Sequence, residues 1–534
     1  MTPPSEISLQ GVCAAPGFAQ GPLARLDAPA ASGPARRAGD PSAEAAALRA
    51  ALSCAEAEIA ALRATLDPLA ADILEFQEML AADEDLSAPA FAAIAKGAPA
   101  DAAWARALDA EIADYAAAAD ETMAARASDL RDLRDRVLRA LRGESGGESA
   151  LPDGAILFAR DLAPSQFLAL DWSRLGGAAL GAGAPTSHVA ILARARGVPM
   201  AVGLGEPPAD VAGDALLDAG AGRLTLGASA PTRGAFAAQV EADRMARAED
   251  AAFARRPGAD ASGAPVAVLI NVDDPGLLDA LDPAICDGVG LTRTEFLFEG
   301  GAPDEETQFR AYARVLGWAK GRPVTIRTLD AGGDKPVPGV TLAGEANPFL
   351  GLRGLRLSLA RPDLFRVQLR ALARAAALGP LKVMVPMVTA PHEFEAARAH
   401  LRAALEELRA EGAACAEPPL GIMVETPAAA LTAADFDAAF YSIGSNDLTQ
   451  YVCAAARDAP EVAALADPLH PAVLELIART AQAGAARGVE VSLCGDMASR
   501  PDLAETLLRC GVRAFSVAPA SVGAVKRATS QARP

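Results

Sequence analysis

Histidine is scarce in this chain, with four in 534 residues, and aromatic side chains make up only 4% of it. The seven cysteines, at 13, 54, 286, 415, 453, 494 and 510, form no CxxC pair and are odd in number. That argues against a disulfide framework or a structural zinc site and fits a reducing, cytoplasmic setting. Positive charge is also short: Lys and Arg total 49 against 68 Asp and Glu, a net charge of −19. So acidic a chain repels phosphate backbones, which excludes nucleic acid as the expected partner and favours a basic protein. No uninterrupted apolar run reaches about 18–20 residues, so no membrane insertion is expected. The N-terminal MTPPSEISLQGVCAAPG lacks the basic stretch and apolar core of a signal peptide, and no hydrophobic run precedes Cys13.

What the chain has in quantity is apolar residues, 51% of the total, rich in alanine. Its length is beyond the size at which a single core stops growing, so two or three domains are expected. Residues 1–27 read as a strand-and-turn lead and 28–41 as a linker. Residues 42–143 are helical almost throughout. AEAAALRAALSCAEAEIAALRATL and SDLRDLRDRVLRALRG repeat apolar residues at i, i+3, i+4 and i+7. Pro68, Pro89, Gly97 and Pro99 are expected to divide this block into several helices. Over 146–230, short strands (AILFA, AALGAG, PMAVGL) alternate with helical pieces, as in an α/β unit. The lead 1–27 is assigned to that unit, with the helical block inserted, and 231–258 reads as a helical linker. From 259 to 534 eight apolar runs recur: VAVLINV, GVGLT, VTIRTL, KVMVPMV, LGIMVE, AFYSIGS, VEVSLCG and AFSVA. Helical patterns separate them. Buried strands alternating with helices mean parallel βα units, and eight of them match a (β/α)8 barrel of the TIM type.

In such a barrel the active site lies where strands end. Arg293 follows GVGLT, Arg327 and TLDAGGDK follow VTI, Glu425 follows LGIMV, Asn446 and Asp447 follow FYSIGS, and Cys494 follows VSL. Alone, each has a plain structural reading: a rim ion pair, a helix cap, a turn, a small buried hydrophobe. Together they bring too many charges to one mouth for a structural core. Arginine forks grip phosphate and carboxylate oxygens, and Glu425 with Asp447 suits Mg²⁺ completed by substrate oxygens and water. A small phosphorylated carboxylic acid is the implied substrate.

One histidine stands apart. His188 follows Pro185-Thr186-Ser187 and opens an apolar helical run in GAPTSHVAILARARGVP. Cap-type hydroxyls, first-turn N–H groups and the helix dipole favour an anion there, and Gly181 and Gly183 leave room for close backbone approach. A neutral ring nitrogen of His188 is thus a candidate nucleophile towards phosphorus. His392 and His400 fall in a charged helical stretch and His470 in a turn.

TSHVAILARARGVPMAVG, GVGLTRTEFLF, IRTLDAGGDK, ANPFLGLRGLR, GIMVETPAA, FYSIGSNDLTQY and SLCGDMA together resemble the Enzyme I family of the bacterial phosphotransferase system, the phosphoenolpyruvate–protein phosphotransferases. The resemblance runs over nearly the whole chain in motif order. It implies a swivelling phosphohistidine α/β domain with an inserted all-α subdomain that binds the carrier protein HPr, and a C-terminal barrel that binds phosphoenolpyruvate and Mg²⁺ and dimerises. It further implies that His188 takes the phosphoryl group on Nε2 and passes it to a histidine of HPr, releasing pyruvate as the first step of sugar uptake. In that scheme Arg293, Arg327, Arg353 and Arg457 hold phosphate and carboxylate, Asn446 contacts the phosphate, and Lys335 neutralises developing charge. Glu425 and Asp447 bind Mg²⁺, Cys494 protonates the enolate, and Thr186 orients His188. The chain departs from the family at Gly183-Ala184-Pro185, at Ala456-Arg457-Asp458-Ala459, and at Gln77, where many members have a histidine. An ATP-dependent relative would need a further domain of several hundred residues. A nitrogen-regulatory Enzyme I serving a non-sugar carrier is the alternative reading.

Overall fold

The computed structural model describes residues 6–26, 39–63, 74, 77–116, 121–143, 151–185, 187–207, 213–298, 301–333, 335, 337–342, 344–456, 462 and 464–534. Its contacts divide into two units, Met1–Ala242 and Asp243–Pro534.

In the first unit, strands from both ends of the unit meet in one sheet. These are β1 (Ile7–Gln10), β2 (Val12–Ala15), β3 (Phe18–Arg25), β4 (Ile156–Ala159), β5 (Gly177–Leu180), β6 (Met200–Val202), β7 (Asp214–Asp218) and β8 (Arg223–Leu226), in the order β1-β8-β7-β3-β4-β5-β6-β2. The strands β4, β5 and β6 are buried along their whole length, which is why they read as continuous apolar runs. The helices Pro41–Arg63, Glu84–Ala95, Ala100–Ala116 and Glu121–Arg142 lie between β3 and β4 in the chain. They bury Leu48, Ile59, Ile94, Trp104, Leu108 and Val137 in a core continuous with Phe167, Leu180 and Leu192 of the α/β part. A polar link reinforces that packing: Arg136 donates to Ser165 (2.9 Å) and to Glu58 (2.8 Å), and Ser165 Oγ donates to Asp132 (2.5 Å).

One helix boundary differs from expectation. Pro89 does not divide the block; it lies inside helix Glu84–Ala95. Its missing N–H would have bonded the carbonyl of Asp85, in the first turn, so one bond is forgone, and Asp83 caps the same end by accepting from Asp85 N and Leu86 N. Gly97 and Pro99 do fall between helices, while Pro68 lies outside the described residues.

In the second unit the eight apolar runs become β9 (Ala267–Val272), β10 (Val289–Thr292), β11 (Val324–Arg327), β12 (Leu381–Val385), β13 (Leu420–Val424), β14 (Phe440–Gly444), β15 (Glu490–Cys494) and β16 (Ala514–Val517). They pair in parallel, each with the next and β16 with β9, and close into a barrel. The multidomain α/β class with a (β/α)8 barrel read from the sequence is borne out. Outside the strands, helices such as Pro362–Ala376 and Pro391–Ala410 bury Phe365, Leu369, Leu372, Leu401 and Leu405 against the sheet. Inside, Leu291, Met384, Met423, Phe440 and Cys494 fill the lumen. Each fully buried Leu or Phe contributes on the order of 2 kcal/mol before entropy is subtracted. Among the described residues, no helix is long and apolar enough to cross a membrane.

Candidate active site

Strand ends converge because a closed parallel barrel directs all its carboxyl termini to one rim. Arg327 is the last residue of β11 and Cys494 the last of β15; Arg293 and Glu425 come directly after β10 and β13. Asn446 and Asp447 sit in the first turn of helix Ser445–Cys453, directly after β14.

The cations are already engaged by carboxylates. Arg327 donates from NH2 to Glu295 Oε1 (2.9 Å), and its NH1 lies 3.1 Å from Asp330. Arg353, fully buried, donates to Asp330 from Nε (3.1 Å) and NH2 (3.2 Å), to Asp447 Oδ2 from NH2 (3.0 Å), and to the Tyr451 hydroxyl from NH1 (3.4 Å). Lys335 Nζ donates to Asp330 (3.0 Å), and Arg293 pairs with Asp273 at 3.1 Å. Burial opposes the charge on Arg327 and Arg353, but the surrounding carboxylates outweigh it and hold both arginines firmly protonated. Burial likewise opposes the charge on Asp330, and Arg327, Lys335 and Arg353 more than offset it.

The two candidate metal ligands differ. Glu425 Oε1 accepts from the Met387 N–H at 2.6 Å. Met387 reaches that bond from a left-handed backbone (φ 57°), unusual for a residue with a side chain. A Cβ on Gly444 would lie 2.9 Å from Glu425 Oε2, so the carboxylate depends on that glycine for its place against β14. Burial, then the Asp447 and Asp330 charges, push the Glu425 carboxyl well above the usual carboxylate range. Asp447 Oδ1 is buried with no hydrogen-bond partner among the described residues. A carboxylate disfavoured by its neighbours beside an unpartnered carboxylate oxygen fits a divalent cation. Two carboxylates are a donor set that Mg²⁺ can use when substrate oxygens and water supply the rest.

Cys494 is 2% exposed; its thiol donates to the Ile443 carbonyl (3.5 Å) and accepts from Ser442 Oγ (3.8 Å). Burial pushes the thiol up to about 11, so at neutral pH it carries its proton. Asn446 is held by Asp496: its Oδ1 accepts from Asp496 N (2.9 Å) and its Nδ2 donates to Asp496 Oδ2 (3.2 Å).

In the first unit His188 opens helix His188–Arg196, and Ser187 caps it by accepting from Ala190 N at 3.3 Å. Arg194 reaches back to the carbonyls of Pro185 (2.8 Å) and Ala14 (2.7 Å), tying down the approach. His188 Nδ1 lies 4.0 Å from Asp129 Oδ2, and Gln77 Nε2 donates to Asp129 Oδ1 (3.3 Å). The other histidines have structural settings. His400 stacks edge-on against Phe365, His392 lies in the first turn of helix Pro391–Ala410, and His470 caps Pro471–Arg487 through Nδ1. Thr186 and Arg457 lie outside the described residues. Sequence reasoning singled out neither Asp330, Ser442, Tyr451, Asp129 nor Met387. For Asp330 the available signal was its spacing three residues after Arg327, and for Asp129 its place in an otherwise amphipathic helix.

Family models match in three parts: the PEP-utilising enzyme N-terminal domain over 10–126, its mobile domain over 151–222 and its PEP-binding domain over 247–533. The phosphoenolpyruvate-protein phosphotransferase of Geobacillus stearothermophilus is 36% identical over 530 residues, 97% of this chain and 92% of its own length. The protein of the same name from Haloferax volcanii is 42% identical over 423 residues, 77% of this chain and 73% of its own. The multiphosphoryl transfer protein of Rhodobacter capsulatus is 40% identical over 470 residues, 86% of this chain; the match spans about half of that longer relative, 56%. Among solved structures, the one described as Enzyme I (nEIt) is 28% identical, covers 44% of this chain and 99% of its own, and has a TM-score of 0.37.

Proposed function

The chain belongs to the phosphoenolpyruvate–protein phosphotransferase family of PEP-utilising enzymes, and on that premise we propose that it moves the phosphoryl group of phosphoenolpyruvate to His188 and then to a histidine of an HPr-type carrier in the cytoplasm, as the entry step of sugar uptake. The observation that carries the reading is the meeting of Arg327, Arg353 and Lys335 with Glu425, Asp447 and a protonated Cys494 at one barrel rim. Arg293, Arg327, Arg353 and Arg457 take the substrate's phosphate and carboxylate, and Asn446 the phosphate. Glu425 and Asp447 would hold Mg²⁺, which would supply positive charge against the phosphate and enolate oxygens. Phosphoryl transfer asks the protein for positioning and charge neutralisation more than for covalent chemistry.

The Asp129 carboxylate, 4.0 Å from Nδ1 of His188, favours a proton on Nδ1, which leaves the lone pair on Nε2. Nε2 attacks phosphorus as the bond from phosphorus to the enol oxygen breaks, and Thr186 orients the ring. Lys335 and the arginines stabilise the enolate oxygen; the Cys494 thiol gives its proton to the enolate carbon, yielding pyruvate, and regains one from water. His188 belongs to the first unit and the barrel rim to the second. The division read from the sequence assigns 1–27 and 146–230 to the phosphohistidine domain, 42–143 to carrier docking, 231–258 to the linker and 259–534 to substrate binding.

A second copy of the chain is the expected partner of the barrel. Leu342, Leu350, Leu465 and Leu469 are large apolar side chains left exposed in the barrel unit. In sedimentation velocity with Mg²⁺ and substrate the chain is expected to run as a dimer at micromolar concentration; a monomer under those conditions defeats the dimer.

Incubation with ³²P-labelled phosphoenolpyruvate and Mg²⁺ tests the main reading. Acid-labile, base-stable label that disappears in His188→Ala, with phosphoenolpyruvate binding retained, is the expected result. Cys494→Ala is expected to slow pyruvate formation. Absence of both label and pyruvate in the wild type refutes the reading.

A further inference from the structure

The cationic cluster is organised around a carboxylate that no step above uses. Asp330 is 0% exposed. Its two oxygens meet Arg353 Nε (3.1 Å) and NH2 (3.2 Å), Arg327 NH1 (3.1 Å) and Lys335 Nζ (3.0 Å). The three cations come from three places in the chain: the end of β11, the following loop, and the turn before helix Leu355–Ala360. The backbone N–H of Asp330 donates to Glu295 Oε1 at 2.9 Å, the same oxygen that accepts from Arg327 NH2. The loop after β11 is thereby tied to the short helical turn Glu295–Phe298 that follows β10. The neighbouring Asp447 takes the Arg353 NH2 as well (3.0 Å), so Asp330 and Asp447 grip that guanidinium from two sides.

We propose that Asp330 is a positioning residue for phosphoryl transfer, the shared counter-ion that sets the geometry of Arg327, Arg353 and Lys335 before the anionic substrate arrives. The inference rests on the reading of the barrel rim as the phosphoenolpyruvate site. Three like charges this close repel one another, and long side chains left without a common partner spread over many rotamers. With Asp330 in place that ordering is complete before binding, and donors fixed in advance stabilise charge in the transition state without reorganising. Asp330 touches no reacting atom in this scheme; it acts through the three cations.

A competing role makes the opposite prediction. If Asp330 merely occupied the cations until substrate displaced it, removing its charge would tighten substrate binding and leave the rate alone. The test is rapid-quench labelling of His188 in the full chain across a range of phosphoenolpyruvate concentrations with Mg²⁺. In Asp330→Asn, which keeps shape and removes charge, we expect the rate at saturating substrate to fall at least about a hundredfold, the scale that loss of fixed geometry commonly costs. The half-saturating concentration should move by less than about tenfold. A variant with parental circular dichroism and a saturating rate within about threefold of the parent overturns the inference, as does tighter half-saturation at unchanged rate. Should the Asn variant fail to fold, Asp330→Glu keeps the charge and shifts it by one methylene. Its saturating rate should fall at least about tenfold, and a parental rate overturns the inference. A parent chain that takes no label overturns the functional reading and this inference together; a labelled parent with an unaffected variant overturns this inference alone.

Discussion

Gly495→Ala would test how tightly the backbone behind Cys494 is specified. Gly495 has φ 96° and ψ −173°, a region open in practice to glycine alone, where a side chain costs on the order of 1–3 kcal/mol. A Cβ there would also lie 2.3 Å from Ser445 Oγ and 2.7 Å from Asn446 Oδ1. Both atoms are committed: Ser445 Oγ donates to the Cys494 carbonyl (2.7 Å) and Asn446 Oδ1 accepts from Asp496 N (2.9 Å). Losing these two bonds adds about 1 kcal/mol each, for a total of about 3–5 kcal/mol. The unit Asp243–Pro534, at about 2.1 cal/mol/K per residue, unfolds with an entropy near 0.6 kcal/mol/K. The barrel transition in differential scanning calorimetry should therefore fall by about 5–8 °C. Because Asn446 is displaced directly, phosphoenolpyruvate-dependent labelling of His188 should weaken even at temperatures where the variant is folded. A melting temperature within about 1 °C of the parent, with labelling intact, would refute the reasoning, since it would mean the turn after β15 relaxes freely and does not hold Asn446.

Alkaline pH should weaken the fold in part through Cys494. Its thiol titrates at about 11 in the folded chain and at about 8.5 when unfolded. The folded state therefore keeps a proton that the unfolded state loses: stability is fully present below about pH 8.5 and declines as pH rises towards 11. At pH 10 this one group costs about 2 kcal/mol. Buried Cys286, raised for the same reason, adds to the slope. Denaturant titrations at pH 8 and pH 10 should show a smaller loss for Cys494→Ala than for the parent, and equal losses would contradict the assigned burial of the thiol.

The barrel was legible because parallel strands covered on both faces must be apolar at every position. Runs such as LGIMV and AFYSIG have no other economical explanation at that spacing, and they became β13 and β14. His188 was legible for a different reason: Ser187 is a good cap only at a helix start, and it caps His188–Arg196. Pro89 misled, because the cost of a proline depends on which carbonyl loses its partner, and here that carbonyl lies in the first turn. Asp330 and Asp129 were passed over, because an acid in a loop or on a helix looks the same in sequence whether it faces water or three cations. Gln77 could be compared with the family's usual histidine, but not assigned a buried hydrogen bond to Asp129.

The sequence alone determined the repeating βα rhythm, the helical block, the cap before His188 and the identities of the residues at the strand ends. These follow from burial and local backbone chemistry, which leave a periodic trace along the chain. Tertiary structure alone decided that Ile7 pairs with Leu226, that Met387 turns left-handed to reach Glu425, and that Arg327, Lys335 and Arg353 share one carboxylate. Ile7 and Leu226, Met387 and Glu425, and Arg353 and Asp330 are distant in the chain, and Arg327 and Lys335, though only three and five residues from Asp330, meet it through the way the loop after β11 folds. A side chain's charge and polarity are written in the sequence, but its partner is chosen by geometry that exists only once the barrel has closed.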